Sequence, residues 1–220
     1  MKLYFSPLAC SLATRIAFYE AGADATYVQV DSKTKKTEDG KDFLTINSLG
    51  LVPALEIEPG EVLTENAAIL QFVAARYPEA RLAPDDPSGK MRLQQILSFI
   101  STELHRGLFA PLLDKTLHPE VTAYIRKRAD SRLSWLERRL AGREFLLDRF
   151  SVADGYLYAV LNWALAIGDD LKNWPSIHAY HSSIHQRPNV ARAFSEELAL
   201  YREELARQNA PAPAWTAAAP

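Results

Sequence analysis

Short apolar runs alternate with helical segments along the first 77 residues of the chain. Residues 2–5 form a short strand-like run and residues 26–30 are β-branched and alternating, so both predict strands. Residues 11–21 repeat apolar positions at helical spacing. A helix between two strands requires a crossover, and such crossovers are right-handed and leave the two strands parallel. The start of the chain is therefore predicted to be a βαβ unit.

The segment that follows predicts a short helix, a hairpin and a longer helix. The short helix lies around Phe43, and the alternating runs 54–57 and 61–64 flank a Pro-Gly pair typical of a turn. Residues 64–77 repeat at helical spacing up to the proline that ends the helix. Ala68, Phe72 and Ala75 are among the predicted inward positions of this helix. The whole pattern favours a sheet flanked by helices.

The pattern changes near residue 79, where prolines, acids and a glycine replace the alternating segments. Beyond this point the apolar spacing is helical, with further helix starts near Ser151, Pro175 and Pro188. Alanine and proline dominate the end of the chain, a composition typical of a flexible terminus. We therefore predict an α/β domain at 1–78, a linker at 79–89, an all-helical domain at 90–208 and a flexible tail at 209–220.

Composition and charge narrow the classes of function. The chain has 220 residues and a net charge of −2, so it lacks the basic excess that drives nucleic-acid binding. It has no uninterrupted apolar run of about 18 residues, and Ser6 and Pro7 interrupt the N-terminal apolar segment, which disfavours a membrane span or a signal peptide. A single cysteine, Cys10, excludes an intrachain disulfide and fits a reducing compartment. We predict a cytoplasmic protein that binds neither nucleic acid nor membrane.

Cys10 is the first candidate for chemistry because it lies between a predicted strand and a predicted helix. Backbone N–H groups and the positive end of the helix dipole favour a thiolate at such a position. The alternative is a small buried hydrophobic residue, the commoner place of a lone cysteine. Ala13 stands where the second cysteine of a CxxC pair would be, which excludes a two-cysteine disulfide exchange.

Two further positions lie at predicted strand and helix starts. A cis bond at Val52-Pro53 would turn the N–H and C=O of Val52 toward a peptide-like ligand, although proline there is also an ordinary turn residue. Glu65 and Asn66 lie at the start of the helix at 64–77, where either Thr64 or Glu65 is a cap or Glu65 is a partner for an ammonium. The same helix N-terminus binds a carboxylate. An α-amino acid presents both of these charged groups together.

Six segments resemble, in the same order, those of the glutathione S-transferases, most closely the bacterial beta class. They are MKLYFSPLACS, DSKTKKTEDG, NSLGLVPAL, LTENAAILQF, SFISTELH and FSVAD, and the resemblance extends from Met1 to about Gln208. It implies a thioredoxin-like N-terminal domain that carries the glutathione site, an all-α C-terminal domain and a twofold homodimer. Glutathione is then the co-substrate, and no metal is implied.

The resemblance implies roles for residues of the N-terminal domain. Cys10 is expected to face the glutathione sulfur and to be able to form a mixed disulfide with it. The other expected contacts are Lys35 with the glycyl carboxylate, Val52 and the cis-proline Pro53 with the cysteinyl part, and Glu65 and Asn66 with the γ-glutamyl end. Together these residues offer a cation, an anion and a strand-like edge, which complement the groups of the tripeptide.

The helical domain is expected to complete the site. His105 is the expected second catalytic residue, and Ser98 and Glu103 on the same helix are expected beside the ligand, some of these groups reaching across the dimer interface. The candidates for contact with a hydrophobic substrate are Leu108, Phe109, Leu112 and Trp163.

The reaction that the resemblance implies is attack by the glutathione thiolate on a small hydrophobic electrophile, a detoxification chemistry. Two alternatives stay open. One is a glutathione-dependent thiol transferase or peroxidase that acts through a mixed disulfide at Cys10. The other is a glutathione-binding protein without catalysis, which is motivated by Phe5, where many beta-class members carry tyrosine, and by the altered segment before Pro53.

Overall fold

The computed structural model describes residues 1–168, 171–213 and 216, and they form two compact units. The first unit comprises Met1–Ala83 and Pro188–Ala212. The second comprises Pro84–Arg187 and the described residues from Pro213 onward. Of the tail predicted at 209–220, residues 214, 215 and 217–220 lie outside the described residues.

The first unit contains a four-stranded mixed sheet with the order β2-β1-β3-β4. Strand β1 is parallel to β2 and antiparallel to β3, and β3 is antiparallel to β4. These results confirm the predicted βαβ unit, the hairpin and the thioredoxin-like fold class. The elements are β1 Lys2–Phe5, α1 Leu12–Glu20, β2 Thr26–Gln29, a 3-10 turn at Phe43–Thr45, β3 Ala54–Glu58, β4 Glu61–Leu63 and α2 Asn66–Arg76.

Alternation along β1 places its side chains on both faces of the sheet. Tyr4 packs with Val30, Phe43 and Ala54 on one face. Phe5 lies on the other face, where its ring meets the ring of Tyr27 edge-on with 6.3 Å between centroids. Successive side chains of a strand point to opposite faces, so the consecutive buried residues Leu3, Tyr4 and Phe5 fill the cores on both sides of the sheet.

The inner face of α2 differs from the prediction. Ile69, Leu70, Val73 and Ala74 are buried, Phe72 is half-buried, and Ala68 and Ala75 are exposed. The helix begins at Asn66 rather than residue 64, because Glu65 has a φ of 64° and lies outside helical geometry. The prediction relied on the spacing of alanines, whereas the branched side chains bury more apolar area and therefore orient the helix.

The second unit is helical, as predicted. Its long first helix is α-helical at Pro87–Phe99 and π-helical at Ile100–Phe109. Gly107 suits this π segment, because a Cβ added there would lie 2.6 Å from the carbonyl oxygen of Thr102. Its described α-helices are α3 Pro87–Phe99, α4 Ala110–Leu113, α5 Pro119–Leu140, α6 Val152–Leu161, α7 Trp163–Ala166 and α8 Pro175–His185.

The last helix, α9 Pro188–Arg207, belongs to the first unit and packs against α1. Its buried residues recur at helical spacing and form one face, consisting of Val190, Ala193, Phe194, Glu197 and Leu198. Among the described residues, no helix is both long and apolar enough to cross a membrane.

The start of α6 is fixed by Asp154, a buried acid. One carboxylate oxygen accepts the N–H of Leu146 at 2.8 Å and the Tyr180 hydroxyl at 2.7 Å, and the other accepts the N–H of Ser151 at 2.8 Å and its hydroxyl at 2.9 Å. Burial raises the pKa of Asp154, while these donors lower it in part. Asp154, at the predicted helix start, thus also links α6 to α8 and to the preceding loop.

We expect Asp154→Ala to lower the free energy of unfolding by about 3 kcal/mol, because it leaves several buried donors without an acceptor. Ser151→Ala, which removes one of those donors, should cost about 1 kcal/mol. Urea unfolding followed by circular dichroism measures both. The exposed Asp130→Ala serves as the matched control, with a change within about 0.5 kcal/mol. A loss below about 1 kcal/mol for Asp154→Ala would contradict the importance of this network.

Candidate active site

Cys10 lies in the turn that joins β1 to α1. The turn closes on itself: the Ser6 N–H donates to Ser11 Oγ at 3.3 Å, and the Ala9 N–H donates to the Ser6 carbonyl at 3.1 Å. The Cys10 carbonyl accepts the N–H of Ala13 at 3.1 Å and so begins the first helical turn. The side chain is only 7% exposed, which places the sulfur in a shielded position beside a helix N-terminus.

The Cys10 thiol donates to the carbonyl oxygen of Val52 at 3.3 Å. The Val52-Pro53 peptide bond is cis, and Pro53 is buried. Sheet register explains this meeting, because Tyr4 pairs with Ala54 in antiparallel strands and the residues after Tyr4 therefore run beside those before Ala54. Two predicted site residues, Cys10 and Val52, are thus in direct contact.

Asn66, at the start of α2, is tied to the same turn. Its Nδ2 donates to the Cys10 carbonyl at 2.9 Å, and its Oδ1 accepts the Thr14 hydroxyl at 2.9 Å. The residue is buried, so both halves of its amide are committed to holding Cys10 and α1. The expected contact of Asn66 with glutathione stays a prediction.

Glu65 precedes α2 and is exposed. Its φ of 64° and ψ of 112° place it outside helical geometry, and its side chain makes no capping hydrogen bond. The capping alternative for this residue is therefore wrong. A left-handed φ at a residue other than glycine costs about 1 kcal/mol or more, and such strain occurs most often at ligand sites. The carboxylate is accessible beside the N–H groups of the first turn of α2.

Lys35 is half-buried, whereas Lys33 and Lys36 on either side of it are exposed. Its backbone joins two segments, since its N–H donates to the Asp31 carbonyl at 3.0 Å and its carbonyl accepts the Phe43 N–H at 2.8 Å. The side-chain stem passes Gly50, where an added Cβ would lie 3.3 Å from Lys35 Cδ. Glycine at position 50 therefore lets the lysine lie beside the loop that leads to Val52.

His105 is buried in the helical unit. Its Nδ1 lies 2.7 Å from the Tyr156 hydroxyl, and its ring meets the Trp163 ring edge-on with 4.9 Å between centroids. Burial, and to a smaller extent the neighbouring charge of Arg106, lowers the pKa of His105 to about 4. The imidazole is therefore neutral at pH 7 and acts as a hydrogen-bonding group rather than as a cation.

The other candidates of the helical unit differ in exposure. Glu103 is half-buried and forms an ion pair with Arg132 of α5, at 2.8 Å between Nη2 and Oε2. Ser98 is exposed. Of the four candidates for the hydrophobic substrate, Leu112 is half-buried, and the three that lie deeper are Leu108, Phe109 and Trp163.

Sequence reasoning missed four residues that hold the candidate site. Thr14 and Ser11 fix the Cys10 turn, and Tyr156 orients His105. Glu197 accepts the N–H of Leu8 two residues before Cys10. A signal for Glu197 existed, because an acid at a core position of an apolar helical stripe is expected to have a buried partner. The described residues contain no His, Cys, Asp and Glu cluster suited to a metal ion.

A mixed four-stranded sheet with a cysteine at the end of β1 and a cis-proline before β3 defines a thioredoxin-like thiol domain, here accompanied by a helical unit. Family models agree: residues 1–75 match the glutathione S-transferase N-terminal domain, and residues 89–194 match the C-terminal domain. The chain therefore belongs to the glutathione S-transferase family.

Three relatives illustrate the match. Glutathione S-transferase GstA of Escherichia coli O157:H7 is 37% identical, over 90% of this chain and 98% of its own length. A sphingomonad glutathione S-transferase solved with glutathione is 44% identical, with a TM-score of 0.85 over 90% of this chain and 98% of that one. The beta-class enzyme of Sphingomonas chungbukensis is 42% identical, with a TM-score of 0.84 over the same shares. The predicted similarity to the bacterial beta class is confirmed.

The buried state of His105 predicts a pH dependence of stability. Its pKa is lowered from 6.5 to about 4 in the folded chain, so the unfolded chain takes up a proton first as the pH falls. Stability should therefore decrease between about pH 6.5 and 4, with a His105 share of about 2 kcal/mol between pH 7 and 5.

Urea unfolding at pH 7 and pH 5 measures this loss. His105→Asn should reduce the difference between the two pH values by about 2 kcal/mol. His181, whose pKa burial also lowers to about 4, should supply a similar residual loss. Gln94→Ala, which changes an exposed residue without a titratable group, is the control and should leave the difference unchanged. An equal pH difference in His105→Asn and the unaltered protein would rule out this role.

Proposed function

We propose that the protein conjugates the glutathione thiolate to small hydrophobic electrophiles, as a detoxifying transferase in the cytoplasm. The observation that carries the proposal is the meeting of the Cys10 thiol, the Val52 carbonyl and the start of α2 in one unit. The family relationship supports it, because relatives over nearly the whole chain are glutathione S-transferases. A single cysteine in the chain fits the reducing conditions of the cytoplasm.

The groups of the tripeptide match the groups of the N-terminal unit. The γ-glutamyl end brings an ammonium to the exposed Glu65 carboxylate and a carboxylate to the first turn of α2. The cysteinyl part pairs with the backbone of Val52, before the buried Pro53, and its sulfur lies toward Cys10. Lys35 receives the glycyl carboxylate from its place beside Gly50.

Activation of the glutathione thiol then needs no strong base. Backbone N–H groups at the start of α1 favour a thiolate, in which form the sulfur is a good nucleophile. The sulfur attacks the electrophilic carbon, the new S–C bond forms, and the leaving group departs with the electron pair of the broken bond. The thiol proton goes to solvent. His105, neutral and held by Tyr156, contributes a hydrogen bond rather than a charge.

The electrophile is placed by apolar residues of the helical unit. We assign this role to Leu108, Phe109, Leu112 and Trp163, with Ser98 and Glu103 completing the glutathione contacts, some of them across a dimer. Leu112 is the most accessible of the four apolar residues, and the other three are buried.

The proposed function is tested by calorimetry with glutathione and by conjugation of 1-chloro-2,4-dinitrobenzene. We expect Glu65→Gln to raise the KM for glutathione about tenfold with little change in kcat, because a charge-assisted contact made in both ground and transition states is lost. The exposed Glu61→Gln, four residues earlier, is the matched control and should leave the KM unchanged.

The remaining outcomes reject the proposal in different ways. A well-folded protein that binds no glutathione would show that the proposed glutathione site does not exist. Binding without turnover on a panel of electrophiles would favour a glutathione-binding protein. Reductase activity that is lost in Cys10→Ala, with a glutathione adduct on Cys10 that dithiothreitol removes, would instead favour a thiol transferase.

We also propose that the protein is a twofold homodimer, an assembly supported by exposed leucines in the loop before β3. Leu49 is 67% exposed, and Leu44 and Leu51 beside it are also exposed. Three large apolar side chains in one loop form the kind of patch that protein contacts cover.

Leu49→Glu should therefore shift the protein from dimer to monomer and raise the dissociation constant by at least about tenfold, because it places a charge in an apolar contact. Sedimentation equilibrium measures this constant. Leu165→Glu, which changes an exposed leucine of α7, is the control expected to remain dimeric. A monomeric unaltered protein at micromolar concentration, or a Leu49→Glu variant that stays dimeric, would contradict the proposal.

A further inference from the structure

The N-terminal unit contains a buried acid that the proposed reaction does not use. Glu197 lies on α9 within the apolar face that packs against α1, and its side chain is 0% exposed. A carboxylate in such a place loses its hydration and needs compensation from charged or hydrogen-bonding partners. The role of Glu197 therefore depends on the groups that contact its carboxylate.

The two carboxylate oxygens of Glu197 have different partners. Oε1 accepts the Nε–H of Arg15 on α1 at 2.9 Å. Oε2 accepts the backbone N–H of Leu8 at 2.8 Å. The Arg15 guanidinium is itself held between aromatic rings, with its carbon 4.5 Å from the Phe5 centroid and 4.1 Å from the Tyr27 centroid. The pair is therefore rigid, and one oxygen points at the Cys10 turn.

Leu8 is an unusual residue to receive such a bond. Its φ is 57°, a left-handed conformation that a leucine adopts unfavourably and that is stable only when the surroundings fix it. It lies two residues before Cys10, inside the turn whose other hydrogen bonds join Ser6 to Ala9 and Ser11. The Glu197 carboxylate thus reaches the one strained residue of this turn from outside it.

Stability alone does not account for the pair. Burial raises the pKa of Glu197 to about 7, even though Arg15 and the Leu8 N–H favour its charged form. A buried ion pair replaced by apolar residues of similar volume often leaves a protein equally stable or more stable. The pair is better explained by the geometry that it imposes on the backbone.

We propose that Glu197 is a positioning residue, whose buried carboxylate, oriented by Arg15, fixes the backbone of Leu8 and thereby holds the Cys10 thiol against the Val52 carbonyl. The proposal rests on the proposed function only in that Cys10 is taken to face the glutathione sulfur. The placement of the thiol is measurable without glutathione, because alkylation by iodoacetamide requires only exposure and ionisation of the sulfur.

The experiment measures the rate of Cys10 alkylation against pH in three variants. Glu197→Ala removes both bonds and should raise the rate at pH 7.5 at least about fivefold, since a released turn exposes the sulfur and loses its bond to Val52. Glu197→Gln keeps an oxygen for the Leu8 N–H and should restore most of the original profile. Arg15→Met/Glu197→Leu removes both charges of this pair, so it should stay folded yet alkylate as fast as Glu197→Ala.

Glu196→Gln is the matched control. Glu196 also contacts Arg15, at 3.2 Å from Nη1, and hydrogen-bonds to Tyr19, whereas the described bond to the Leu8 N–H comes from Glu197. It should alter stability without altering the alkylation profile. The proposal is overturned if the folded double variant alkylates within about twofold of the unaltered protein, or if Glu196→Gln alters the profile as much as Glu197→Ala does. Neither result depends on whether the protein conjugates glutathione.

Discussion

The antiparallel pairing of β1 with β3 is the constraint on which the site depends. Once Tyr4 lies opposite Ala54, the residues that leave β1 must run beside those that enter β3. This pairing places the Cys10 turn beside the Val52 carbonyl without further contacts from either loop. A register shift of one residue would reverse the faces of Tyr4 and Phe5 and separate the two loops. The register of the sheet therefore sets the position of the site, and the loop residues add its contacts.

Buried polar groups of the two units, each considered by itself, are stabilised in three different ways. Asn66 satisfies both ends of its amide with neighbouring backbone and hydroxyl groups. His105 is neutral, so its burial carries no charge. Asp154 remains buried by accepting four hydrogen bonds. In each case the group connects segments that are separated in sequence. Its hydrogen bonds are directional, so they fix the relative position of these segments more specifically than apolar contacts do.

Much of the fold could be predicted from the sequence, because period-two and helical spacing report directly on burial. The strands and the hairpin follow from that spacing. The starts of α6, α8 and α9 follow from Ser151, Pro175 and Pro188, whereas α2 begins two residues later than predicted. The rotation of α2 does not follow from the spacing, since it depends on which apolar side chains are buried by tertiary contacts, namely Ile69, Leu70, Val73 and Ala74. The direction of the Asn66 side chain depends in turn on that rotation. Local periodicity therefore predicts which elements form, and tertiary contacts select the faces and the hydrogen bonds.

Glu65 and Glu197 are both assigned roles at the candidate site, but the roles differ. Residue type alone therefore does not determine what a glutamate does. Glu65 is exposed, adopts a left-handed backbone and makes no capping bond, so its charge is accessible to a ligand. Glu197 is buried, and both of its oxygens are occupied by Leu8 and Arg15. The exposed acid offers its charge to an incoming ammonium, and the buried acid uses its charge to hold the backbone. Because helical spacing already places Glu197 on an apolar face, the distinction is partly visible in sequence, whereas that of Glu65 requires the backbone angle.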